Sequence, residues 1–136
     1  WTVGTGTTKD YTLVRMATVD AGTKDWTVGA TQWNVEPKDT VMYLGSHMSN
    51  CLAAAGTSCS DLFFSEYIEG GGNNKAIEIY NPTNASINLT GYTVSMFSNG
   101  ATTATATLAL SGMLASGDVY VISANQANRF WIDHQD

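Results

Sequence analysis

The sequence predicts an all-β domain of the antiparallel sandwich or barrel class. Three observations carry that expectation. The stretch Leu62–Asn81, LFFSEYIEGGGNNKAIEIYN, places two alternating apolar runs around a Gly/Asn turn, the pattern of a β-hairpin. Further short alternating runs recur about every ten residues, separated by polar turns. The 136-residue chain is 43% hydrophobic but only 13% charged. Its polar surface therefore comes from Thr, Asn, Ser and Gly, which suit sheet faces and turns better than helices.

The elements follow in chain order. The Gly/Thr-rich opening, residues 1–12, reads as a loop entering a strand, and Tyr11–Thr18 alternates as a strand does. Asp20–Lys24 is a turn, and Trp26–Val35 an irregular segment or short strand. Glu36–Asp39 is a turn in which Pro37 pre-sets the backbone. Thr40–Leu44 is a short strand or extended tail. Residues 49–60 are small and uncharged and read as a linker. Leu62–Ile68 and Lys75–Tyr80 form the hairpin around Glu69–Asn74. Ile87–Leu89 is a short bridge, Gly91–Ser98 a strand, Asn99-Gly100 a turn, and Thr102–Leu110 a strictly alternating strand. Asp118–Ser123 is the last strand, and Ala124–Phe130 is the one segment with helical character.

Composition excludes some functions. The net charge is −6, and Lys9, Arg15, Lys24, Lys38, Lys75 and Arg129 are scattered. A nucleic-acid footprint needs such residues clustered against phosphates, so direct nucleic-acid binding is not expected. No apolar run approaches the roughly 20 residues that cross a bilayer as a helix, so membrane insertion is not expected. A start at Trp1 reads as a mature product or a fragment.

Cys51 and Cys59 have no metal-ligand spacing and no third Cys or His beside them. They are a local disulfide or two free thiols. The secreted-type composition favours the disulfide, which would pin the linker. Asn84 and Asn88 head Asn-x-Ser/Thr sequons, which matter only in a glycosylating host.

Several residues invite a chemical reading. Glu66 and Glu78 fall on the two hairpin strands with Lys75 near the turn. An acid/base pair needs a cleft and a substrate surface, which a small sandwich does not supply. The preferred reading of Glu66, Lys75 and Glu78 is a structural network, with carboxylates accepting backbone N–H bonds and pairing the lysine. A Ca2+ site from Glu66, Glu69, Asn73 and Asn74 is the alternative, since hard cations take several oxygen ligands. No other cofactor is implied. Asp133–Asp136 reads as a solvated chain end and His47 as a surface or cap residue. Ser65, Ser95 and Ser98 lack a nucleophile-elbow context. Gly70–Asn74 lacks the Lys-Ser/Thr of a phosphate loop. Trp1, Trp26, Trp33 and Trp131 read as core or interface ahead of a sugar platform.

The run Leu62–Gly70, Asn73–Asn81, Leu89-Thr90-Gly91-Tyr92 and Leu114–Val121 resembles the N-terminal part of a lamin tail domain of the bacterial secreted type. Tyr11–Arg15, Thr18–Gly22, Trp33–Thr40 and Leu44–His47 look like the C-terminal part of the same kind of domain. The resemblance implies an immunoglobulin-like β-sandwich, permuted or split between two tandem domains. It divides the chain into 1–48 (C-terminal part), 49–60 (pinned linker) and 61–136 (N-terminal part). It also implies a non-catalytic structural or binding module of an extracellular or cell-surface protein. Its partners would be other copies of itself through strand pairing, or flanking domains. The alternative is an accessory module of a larger secreted nuclease or phosphatase.

Overall fold

A computed structural model describes residues 1–53 and 59–127. The hairpin forms where the alternation places it: β5, Phe63–Glu69, pairs antiparallel with β6, Lys75–Tyr80. The chain reaches it through β1 (Thr2–Val3), β2 (Gly6–Thr7), β3 (Thr12–Arg15), the single helical turn α1 (Trp26–Gly29), β4 (Trp33–Glu36) and a second helical turn, α2 (Asn50–Ala53). It continues through β7 (Ile87–Asn88), β8 (Thr93–Met96), β9 (Ala106–Ala109), β10 (Met113–Leu114) and β11 (Val119–Ser123). Five strands make the main sheet, in the order β11-β6-β5-β3-β4, every pair antiparallel. The strands β3 and β4 therefore join the hairpin in one sheet, with Thr12 opposite Ile68 and Val14 opposite Glu66.

Side chains alternate across the sheet. Ala76 and Tyr80 point to one face with Phe63, Ile68, Val119 and Val121, while Ile79 points to the other with Leu89, Leu110 and Leu114. The second face is covered by the short pairs β7–β10 and β8–β9 and their connections, which gives the two layers of an immunoglobulin-like sandwich. The first face is covered by a strap, residues 37–51, that contributes Leu44 and Val41 to the core. Each aliphatic side chain fully buried in either cluster contributes about 1.5–3 kcal/mol.

The strap is the clearest departure from the sequence reading. Thr40–Leu44 forms turns instead of a strand, and its apolar residues reach the core from those turns. It is stapled to the sheet by the Thr12 hydroxyl donating to the Thr40 carbonyl (2.9 Å) and by the Gly71 amide donating to Asp39 (2.9 Å). Gly70 belongs to this junction, because a Cβ there would lie 2.6 Å from the Asn74 carbonyl oxygen and would meet the Asp39 carboxylate.

Three smaller differences have local causes. The opening loop closes as the β1–β2 hairpin resting on β4, where a Cβ on Gly6 would lie 2.6 Å from Val35. The segment Trp26–Val35 divides because Asp25 caps a helical turn by accepting from the Thr27 amide (2.9 Å). Its remainder pairs with β3 as β4. The linker begins as α2, anchored by the Asn50 amide on the Ala17 carbonyl (2.8 Å). Within Ala124–Phe130, residues 125–127 form a turn or bend, and residues 128–130 lie outside the described residues, as do Trp131 and Asp133–Asp136.

Candidate functional site

Glu66 and Glu78 face each other across β5 and β6 and are both buried at 1% exposure. A β-bulge between Phe64 and Glu66 sets this up. The extra residue turns Ser65 inward beside Glu66, so that both are buried in succession. The Ser65 hydroxyl then donates to one oxygen of Glu78 (2.6 Å), and the Gly45 amide of the strap donates to the other (2.7 Å). Glu78 is thus a bracket between the sheet and the strap, made of charge-assisted bonds.

Glu66 is different. Neither of its carboxyl oxygens has a hydrogen-bond partner among the described residues. Burial, and secondly the neighbouring Glu78 carboxylate, push it up to about 8. At neutral pH it is predominantly a neutral acid. His47, on the strap, packs edge-on against Tyr80 (4.9 Å between centroids) and Phe63 (6.0 Å). Burial, then the charge of Arg15, bring it down to about 4. Two titratable groups therefore sit under and within the strap in their neutral forms, and among the described residues the His47 Nε2, like both oxygens of Glu66, has no hydrogen-bond partner.

Lys75 is paired with Glu69 at 2.8 Å and also donates to the Gly70 carbonyl. Glu69 in addition accepts from the Tyr67 hydroxyl at 2.8 Å. The lysine thus stands at the turn end of the hairpin. Of the oxygen ligands considered for Ca2+, Glu66 is buried, Glu69 is engaged as described, and the Asn73 amide donates to Gln126 (3.1 Å). Among the described residues no group of three or more His, Cys, Asp or Glu is placed to hold a metal ion. Asn84 and Asn88 are exposed, and Asn88 accepts from the Thr90 amide at 2.9 Å. Trp1 packs edge-on against Trp26, whereas Trp33 lies under the Arg15 guanidinium.

Cys51 and Cys59 form a disulfide with Cα atoms 6.1 Å apart. It closes the linker next to the end of the strap. Loop-closure entropy for so short a ring is about 2–3 kcal/mol. The double variant C51S/C59S is expected to lose about that much stability in urea titrations, while retaining the far-ultraviolet signature of the sheet.

The second layer presents the least protected surface. β8 and β9 pair only with one another among the described residues, from Thr93 opposite Ala109 to Met96 opposite Ala106. All four residues of β9 are exposed, and Met96, Phe97, Leu108 and Met113 are large apolar side chains open to solvent. From Gly91 to Gly117 the chain carries no Lys, Arg, Asp or Glu. Sheet edges are ordinarily blunted with charges, and this ribbon lacks them. Periodicity locates both strands, but that no further strand among the described residues pairs with them depends on which strands the fold places beside them.

A family model described as Lamin Tail Domain matches residues 55–136. No curated protein and no solved structure matches the chain. The match contains β5 through β11, hence the whole hairpin, the carboxyl pair and the open ribbon.

Proposed function

This chain belongs to the lamin tail domain family, and we propose from that premise that it is a non-catalytic building block of a secreted or cell-surface bacterial protein, assembling with copies of itself through edge-strand pairing. The observation that carries the reading is the uncharged β8–β9 ribbon, which pairs with no further strand among the described residues. An incoming strand of a second copy would satisfy its free backbone groups and cover its exposed apolar side chains. The disulfide supports an oxidising, extracellular setting.

Sedimentation across a concentration series tests this. The wild-type chain is expected to gain mass with concentration, in a manner little affected by salt because the ribbon has no charges to screen. Thr107→Lys, an exposed position on β9 opposite Ser95, is expected to return it to a monomer without loss of thermal stability. A compact wild-type monomer at every concentration would instead favour the accessory-module reading, in which flanking domains are the partners.

A further inference from the structure

A cavity of about 470 Å³ lies between the main sheet and the start of β8, lined in part by Phe64, Ile79, Val94 and Leu110. That volume falls within the range of small-ligand sites. Its wall also carries Arg15 and Lys24. Arg15 is 6% exposed, and its guanidinium lies 3.8 Å from the centroid of Trp33. It donates through Nε to the Phe64 carbonyl (3.0 Å) and through Nη1 to the Gln32 side chain (2.8 Å). Those two bonds use two of its five N–H donors. Both acceptors are neutral, and among the described residues no carboxylate forms an ion pair with it.

A buried cation without a counter-charge is costly. The fold nevertheless holds this one on a tryptophan, against a cavity. Burial brings the guanidinium down to about 10. Lys24 is exposed on the same wall, so the cationic side of the cavity extends to its mouth. Asp61 is also on the wall, where it accepts from the Tyr92 hydroxyl and the Leu62 amide, both at 2.8 Å.

We propose that this cavity is a binding site for an organic carboxylate, with Arg15 and Lys24 receiving the anionic group and Phe64, Ile79, Val94 and Leu110 receiving the apolar body attached to it. The planar fork of Arg15 matches a carboxylate, and its burial keeps solvent away from most of the guanidinium. The inference is independent of strand-mediated assembly. The shared chemistry is met by a free aryl acid or by the carboxyl terminus of an apolar peptide.

Calorimetric titration of the full chain separates these sources with two probe pairs. One is phenylacetate against phenylacetamide; the other is acetyl-Ala-Val-Phe with a free or an amidated C-terminus. In at least one pair the acid is expected to bind about tenfold or more tightly than the amide, the scale of one charge-assisted contact. The pair with the tighter acid identifies the source. Lys24→Glu, a surface change, is expected to weaken that acid several-fold with an unchanged melting temperature, and Arg15→Met to remove the preference for acid over amide. Equal binding of acid and amide in both pairs, or no binding of any probe at millimolar concentration, overturns the proposal. So does an unchanged affinity in folded Lys24→Glu.

Discussion

Between pH 6.5 and 8 the unfolding free energy is expected to fall by about 1.4 kcal/mol per pH unit, about 2 kcal/mol in all, and Glu66→Gln is expected to abolish that fall. Glu66 has a folded pKa near 8 against 4.5 for the ordinary carboxyl, so between those values the folded state holds a proton that the unfolded state has released. Its contribution is fully present below 4.5 and is lost as pH rises to 8. His47 runs the other way. Its folded pKa near 4 lies below the ordinary 6.5, so its contribution is present above 6.5 and is lost as pH falls. From 4.5 to 6.5 the two slopes oppose and largely cancel, and above 6.5 that of Glu66 is no longer opposed by that of His47. Urea titrations at a series of pH values read this directly. In His47→Gln the fall is expected to begin near 4.5 instead of 6.5. A slope that persists in Glu66→Gln would assign it to another group and remove Glu66 from the account.

How far this behaviour was legible in the sequence differs residue by residue. Two alternating runs around a glycine turn fix which strands pair, and Glu66 and Glu78 were visible as their two acids. The bulge after Phe64 was not visible, because one extra residue leaves the apolar pattern readable in either register. It is the bulge that buries Ser65 beside Glu66. The strap escaped for a different reason. Val41 and Leu44 reach the core from consecutive turns, and turns have no hydrophobic period to detect. His47 and Gly45 ride on that strap, so their meeting with Tyr80 and Glu78 is a long-range outcome that no local spacing encodes. In the sequence Arg15 is one of six scattered basic residues. Its setting depends on Trp33 and Gln32, which are brought beside it by the pairing of β3 with β4.

Asn81→Asp is expected to cost about 3–5 kcal/mol at pH 8, more than Asn81→Ala, although aspartate keeps the shape and alanine does not. Asn81 sits at the end of β6 and is fully buried. Its amide nitrogen is shared among the carbonyls of Ala85 (2.8 Å), Leu114 (3.0 Å) and Ala115 (2.9 Å). Its amide oxygen accepts from the Thr83 backbone (3.0 Å) and hydroxyl (2.7 Å). One side chain thus ties the main sheet to the turn that follows it and to β10 of the opposite layer. Aspartate can still accept from Thr83, but it has no N–H to offer and aims an oxygen at three carbonyl oxygens. Alanine leaves those carbonyls unsatisfied without adding repulsion, and a relaxed site can admit water to them. Protonating the aspartate restores one donor, so its deficit is expected to shrink as pH falls through the variant's raised carboxyl pKa, while that of alanine tracks the wild type. Melting temperatures of the three proteins at acidic and alkaline pH measure both comparisons. If Asp at position 81 matched Asn at pH 8, the amide would not be the clasp between the layers, and the cohesion of the sandwich would rest on the cluster of Ile79, Leu89, Leu110 and Leu114 alone.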